Sequence, residues 1–202
     1  MLSEIRLKDD ITSGKFDLYG EILDKTTGVL GDIKVTSSYK IMKALGMYKV
    51  DVPTKEVYKS GLKKGQIKYR KEWRHDGIKG IMDWAIQLNY YRILLQKQGL
   101  EVTRIVVQAM CRDNSLRIAK ERGVEKPIYL IPINFISDRW ITRYMEHKAD
   151  ALSKAFQTGI LPPPCKPKER WHDRKCLSYC QVATHCPYGI QLKKSYPLEK
   201  AS

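Results

Sequence analysis

The sequence predicts a mixed α/β core with a cysteine-rich appendage, and three observations carry that reading. Apolar and polar residues alternate from Lys15 to Leu23 and again from Val29 to Val35, which is the period of paired strands. Between Ile78 and Gln98 the period becomes that of a helix, and apolar runs at Val102–Met110 and Pro127–Phe135 follow it. Four of the five cysteines, Cys165, Cys176, Cys180 and Cys186, then fall within the last forty residues.

Taken in order, Glu4–Lys8 reads as a short strand that opens a three-stranded meander. Thr26-Thr27-Gly28 supplies turn chemistry between the second and third strands. Thr36-Ser37-Ser38 resembles a cap before a short helix ending at Leu45. Residues 46–76 have no clean period and many charges. In the long helix, Ile81, Ala85, Leu88, Tyr91 and Leu95 fall on one stripe, and Gly99 is a stop signal. Two strands follow, the first reaching Cys111, whose apolar setting marks it as a small buried hydrophobe. A second amphipathic helix is expected over Ser137–Phe156, broken by Pro162-Pro163-Pro164. The expected division is a core over 1–160, a cysteine-rich subdomain over 161–190 and a tail over 191–202.

At 202 residues the chain can bury one good-sized core. Its formal charge of +15 favours a polyanionic partner, of which nucleic acid is the commonest, with simple solubility as the plainer reading. No apolar run approaches a membrane span, and Met1-Leu2-Ser3-Glu4-Ile5-Arg6 lacks the apolar stretch of a signal peptide. These features predict no membrane association and a cytoplasmic location. Clustered cysteines without a secretory signal favour a metal or cluster site over disulfides.

Candidate chemistry centres on Asp32-Ile33-Lys34. Side chains two apart on a strand share a face, so Asp32 and Lys34 project together, and a hairpin brings Asp17 beside them. Two carboxylates offer hard oxygen ligands for Mg²⁺ or Mn²⁺, and the lysine can orient a water or stabilise phosphoryl charge. An Asp-x-Lys on a half-exposed strand is more often a solvated face, so the motif needs company. Gln87 and Tyr91, four apart on the long helix, are adjacent on one of its faces. Lys68, Arg70, Lys71 and Arg74, interleaved with Tyr69 and Trp73, can grip a phosphate backbone while aromatics stack on bases. A solvated loop explains that stretch equally well. A second basic set, Lys166, Lys168, Arg170, Arg174 and Lys175, borders the cysteines, and no base-reading motif is present.

The order of these parts is Gly14-x-x-Asp17, Asp32-x-Lys34, then Gln87-x-x-x-Tyr91 on a helix, a strand, and a C-terminal cysteine cluster. It resembles the RecB-type branch of the PD-(D/E)xK nuclease superfamily, and more narrowly the iron–sulfur members similar to CRISPR-adaptation nucleases and phage exonucleases. The resemblance runs from about residue 4 to residue 190. It implies a restriction-endonuclease-like core and metal-assisted phosphodiester hydrolysis on DNA ends or single strands, in a prokaryotic or phage-infected cell. Asp17, Asp32 and the backbone carbonyl of Ile33 would hold Mg²⁺ or Mn²⁺. Lys34 would position or help activate the attacking water, while Gln87 and Tyr91 organise the site. A protein partner or self-association stays open.

The chain departs from that pattern in two places. Phe16 stands where the superfamily's proline would, and the residues before Asp17 read as strand where family members open with a helix bearing a further histidine or glutamate. The rival expectation is therefore a catalytically silent DNA-binding or adaptor protein on the same fold. A zinc-stabilised RNA-binding module is a third reading. Cys176-x₃-Cys180-x₅-Cys186-Pro187 is similar to the cysteine triplet of the iron–sulfur nucleases, with Cys165 as the substitute fourth ligand. Four thiolates can hold a [4Fe–4S] cluster or Zn²⁺, and the spacing is not that of a zinc ribbon.

Overall fold

The computed structural model describes residues 1–21 and 27–196. Residues 22–26, which hold the end of the expected second strand and Thr26 of the expected turn, lie outside the described residues, as do 197–202. The chain forms two compact units, Met1–Met145 and Glu146–Ser202, and the boundary falls earlier than the 160/161 division expected from the prolines.

The first twenty residues form a bent hairpin. One arm is β1 (Leu2–Ser3) and β2 (Arg6–Lys8); the other is β3 (Ser13–Lys15) and β4 (Leu18–Gly20). Both arms break at one level, where Glu4 takes a φ of 53°. Glu4 N–H donates to Asp17 O at 3.1 Å and Phe16 N–H to Ile5 O at 3.3 Å, so the break stays bridged. The strand expected at Glu4–Lys8 is thus confined to Arg6–Lys8, and the one expected from Lys15 onward is interrupted at Phe16 and Asp17. Beside the break, Phe16 and Leu7 are fully buried.

Next come β5 (Val29–Thr36), α1 (Ser38–Ala44), β6 (Met47–Val57), β7 (Ile67–His75) and α2 (Met82–Lys97). They are followed by β8 (Arg104–Cys111), α3 (Arg117–Glu121), β9 (Ile128–Ile133) and α4 (Asp138–Thr158). The main sheet has the order β1-β4-β5-β8-β9, with β5 parallel to β8 and its other pairs antiparallel. That is an α/β arrangement with a five-stranded mixed sheet. Inward residues of β5, β8 and β9 meet α2, whose Leu88 to Leu95 are all buried. The opposite sheet face exposes Ile33, Val35 and Leu130 and borders a cleft of about 700 Å³.

Three details differ from the sequence expectation. The helix begins at Met82 rather than Ile78, because Gly77 and Gly80 take left-handed φ and keep the entry out of a right-handed helix until the extended N-cap Ile81. Ser37 is the N-cap of α1 but caps with no side-chain bond; Asp113 accepts from Ser38 N–H at 2.6 Å and Ser38 Oγ at 2.8 Å instead. Residues 46–76, which show no clean period, form the β6–β7 ribbon. Both faces of that ribbon are largely solvated, so no burial pattern is written into it.

Buried polar groups fix α2. Asn89 donates to Ala85 O and Asn134 O and accepts from Ile136 N–H, so its buried amide is used on both sides. Arg92 donates to Ile136 O at 3.0 Å and pairs with Asp138, the first residue of α4. The start of α4 is thereby tied to α2.

The second unit contains the rest of α4, α5 (Arg174–Ser178) and α6 (Pro187–Ser195). The residues expected as a tail from 191 onward are helical to Ser195, since Pro187 at the first turn starts a helix that continues through them.

Candidate active site

Alternation along β5 turns Leu30, Asp32 and Lys34 toward α2 and Gly31, Ile33 and Val35 away from it. Asp32 is 3% exposed. Burial pushes its carboxyl above the usual carboxylate range; Lys34 pulls it back, and the charge of Asp17 adds to the rise. Lys34 Nζ stands 2.8 Å from Asp32 Oδ2, yet off the line a hydrogen bond needs. That buried oxygen has an ionic neighbour and no aligned donor.

From Lys34 the contacts continue onto the helix. Lys34 Nζ donates to Gln87 Oε1 at 3.2 Å, and Gln87 Nε2 donates to the Tyr91 hydroxyl at 3.1 Å. Tyr91 in turn lies against the backbone of β3. A Cβ on Gly14 would meet the Tyr91 ring at 2.3 Å, so glycine there is a packing requirement of this site. Asp17, at the break between β3 and β4, accepts from Ile33 N–H at 2.6 Å. The structure therefore brings together Asp17, Asp32, Lys34, Gln87 and Tyr91, and Ile33 contributes its N–H to holding Asp17.

The donor set suits a hard divalent cation. Mg²⁺ keeps several waters and takes one or two protein carboxylates, which Asp17 and Asp32 supply. The buried Asp32 oxygen without an aligned donor is the kind of atom that such an ion satisfies. Among the described residues, no three or more His, Cys, Asp or Glu side chains gather as they stand to hold a metal.

In the second unit all four C-terminal cysteines are free thiols, with Cys165 exposed and the others half-buried. Burial raises the Cys176 thiol pKa, and Cys180, Asp173, Cys186 and Cys165 push it further up, so the four sulfurs lie within electrostatic reach. Trp171, His172 and Asp173 have positive φ in succession, a costly run for residues with a Cβ. Polar contacts hold it: Arg170 Nε donates to Asp173 at 2.5 Å, Arg170 Nη1 to Cys165 O at 2.8 Å, and Tyr188 to Asp173 at 2.9 Å.

The basic residues of β7 divide between the ribbon's two faces. Lys68, Arg70 and Arg74 share one face, where Lys68 pairs with Glu56 and both arginines with Glu72. Lys71 and Trp73 lie on the other, with Tyr69 beside them and Lys49 over the Trp73 ring at 4.6 Å. What sequence reasoning missed is on α4. Arg139, Trp140, Arg143 and Tyr144 form a surface group whose signal was two interleaved pairs at a spacing of four.

Comparison with family profiles, characterised proteins and solved structures finds no match to this chain. No helix among the described residues is long and apolar enough to cross a membrane.

Proposed function

We propose that this chain is a Mg²⁺- or Mn²⁺-dependent DNA nuclease of the RecB-type PD-(D/E)xK class, acting on ends or single strands in the cytoplasm. The observation that carries the reading is the buried Asp32 carboxylate, with one oxygen lacking an aligned donor, linked through Lys34 and Gln87 to Tyr91. Asp17 and Asp32, with the Ile33 carbonyl, would hold the ion. When bound, it supplies Lewis-acid polarisation of the phosphoryl group and a water of lowered pKa. Lys34 presents its ammonium beside the Asp32 carboxylate, where it can orient the attacking water or meet charge growing on a phosphoryl oxygen. Gln87 fixes that ammonium from the helix side, and Tyr91 fixes Gln87. The core is then restriction-endonuclease-like, and Cys165, Cys176, Cys180 and Cys186 hold a [4Fe–4S] cluster, with Zn²⁺ as the alternative. The Cys176 thiol within electrostatic reach of the other three, and little apolar packing around them, support that assignment, while as they stand no three of the described cysteines gather to hold a metal.

One observation favours a second reading, a silent DNA-binding or adaptor protein that borrows a ligand from a protein partner or from a second copy: no third acidic or histidine side chain joins the two aspartates among the described residues. Cleavage separates the two. Protein purified without oxygen, with its Asp32→Ala and Lys34→Ala variants, is given end-labelled single- and double-stranded DNA with Mg²⁺ or Mn²⁺. Metal-dependent cleavage lost in both variants is expected, a fall of at least about a hundredfold. Salt-sensitive binding without any cleavage would leave only the binder.

A further inference from the structure

We infer that the N-terminal half of α4 is the landing surface for the single strand of nucleic acid that enters the Asp32–Lys34 site. The inference rests on the nuclease reading and names the path its substrate takes.

Two clefts share one wall. The first, about 300 Å³, is lined by Thr12, Ser13, Gln87, Tyr91 and Tyr144, so it opens directly beside the helix residues that hold Lys34. The second, about 400 Å³, is lined by Ser137, Arg139, Trp140, Arg143 and Tyr144. Tyr144 belongs to both, so the clefts are consecutive along the surface.

The chemistry of the outer cleft fits a phosphodiester chain with exposed bases. Arg139 and Arg143 are exposed, and no carboxylate or hydrogen-bond acceptor pairs with either among the described residues. The ribbon arginines Arg70 and Arg74, by contrast, share Glu72. Free guanidinia are the groups best shaped for phosphate. Trp140 and Tyr144 stack on each other with centroids 5.4 Å apart and planes 12° from parallel, and Trp140 is 46% exposed. An exposed, aligned aromatic pair beside two unpaired arginines offers stacking and charge at once, which is how sequence-tolerant single-strand sites are built. Each pair is spaced by four residues, about 6 Å along the helix axis, comparable to one step of an extended nucleotide chain. Asp83, the carboxylate on the inner cleft, marks a position for a base or sugar rather than a phosphate. The surface is also held in place, since Arg92 and Asn89 bind the turn leading into α4.

Duplex DNA keeps its bases stacked inside, so Trp140 would gain nothing from it. The test is equilibrium binding of a fluorescein-labelled oligothymidylate in EDTA, followed by anisotropy across a salt series. Arg139→Gln/Arg143→Gln is expected to weaken binding at least about tenfold and to reduce the salt slope by about 1.4, at 0.7 per phosphate contact. Trp140→Ala is expected to weaken single-strand binding about tenfold with the slope unchanged, and to leave duplex binding as it was. A charge-matched control, Arg117→Gln/Lys120→Gln on α3, should bind like the parent. Equal loss in the control, or no loss in either α4 variant, would overturn the inference, as would a Trp140→Ala effect on duplex and single strand alike. Cleavage with Mn²⁺ is read in parallel. A parent that cuts DNA while the α4 variants bind and cut as it does keeps the nuclease and loses the path. A parent that never cuts, with the α4 losses as expected, keeps the surface and loses the nuclease.

Discussion

The two units of this chain are held by different forces. In Met1–Met145 a continuous apolar cluster runs from Leu7 and Phe16 through Leu88 and Leu95 to Ile131 and Ile141. In Glu146–Ser202 only Ala183 and Gly189 are buried among the described residues. Burial at roughly 25 cal/mol per Å² can stabilise the first; it has almost nothing to act on in the second. There, order rests on Arg170, Asp173 and Tyr188 and on the backbone hydrogen bonds of the turns around Cys176 and Cys186. A small unit of this kind needs a staple, which the metal proposed for Cys165, Cys176, Cys180 and Cys186 would supply.

The comparison predicts its largest effect at Cys176. Cys176→Ser should abolish protection of the α5 and α6 amides in hydrogen exchange and leave α2 protection unchanged. The proposed ligation would act as metal binding does in small metal-folded modules, where it supplies about 10–16 kcal/mol. Unchanged exchange in α5 and α6 would mean that the polar network suffices and the thiols hold nothing.

A pair of glycines sharpens the contrast. A Cβ on Gly189 would lie 2.4 Å from the carbonyl oxygen of Ala183, a backbone atom that cannot step aside. Gly189→Ala should therefore loosen the second unit nearly as much as the cysteine change. On Gly14 the clash is with the Tyr91 ring, which can move. Gly14→Ala should cost the first unit about 1–3 kcal/mol, the usual range for overpacking. Because the ring that moves also fixes Gln87, cleavage should fall more than stability does. A melt combined with a rate measurement separates the two effects, and a loss of stability with full activity would remove Tyr91 from the site's support.

What could be read from sequence follows the same division. Strand β5, helix α2 and strands β8 and β9 were legible because each has one buried face or a buried run, and burial imprints a period; helix α4 was legible from its amphipathic pattern, although Ile141 is its one buried residue. Asp32, Lys34, Gln87 and Tyr91 were legible as neighbours because their spacings of two and four place them on the inner faces of β5 and α2. The bend at Glu4 and Phe16 was not, since Glu4 takes its positive φ with no glycine, asparagine or proline there to signal it. Nor was the β6–β7 ribbon, where solvent on both faces erases alternation. The Trp171–Asp173 turn and the short helices α5 and α6 depend on side-chain networks between residues such as Arg170 and Tyr188, which no period encodes. The arginines and aromatics of α4 were visible in sequence but uninterpretable without their cleft, which Tyr144 joins to the one lined by Gln87 and Tyr91.

The smallest effect expected distinguishes two carboxylates within the first unit. Asp113 accepts from Ser38 and Cys111, and these bonds outweigh burial and hold its pKa below the usual value. Its contribution to stability is present above the unfolded-state pKa and is lost as pH falls through the lower folded value. Asp32 has the opposite sign. Its folded pKa is raised, so its favourable contribution is complete below the unfolded value and disappears as pH rises through the folded one. At neutral pH its ionised form burdens the metal-free protein. Asp32→Asn keeps the shape, removes the buried charge and leaves Lys34 its bond to Gln87. The metal-free variant should therefore melt about 2–4 °C higher at pH 7, as about 1 kcal/mol does in a chain of this size, with the gap closing toward pH 4. Addition of Mn²⁺ should stabilise the parent and not the variant. A lower melting temperature for Asp32→Asn at pH 7 would mean that its ion pair with Lys34 outweighs the burial, and that the aspartate serves the fold rather than a metal.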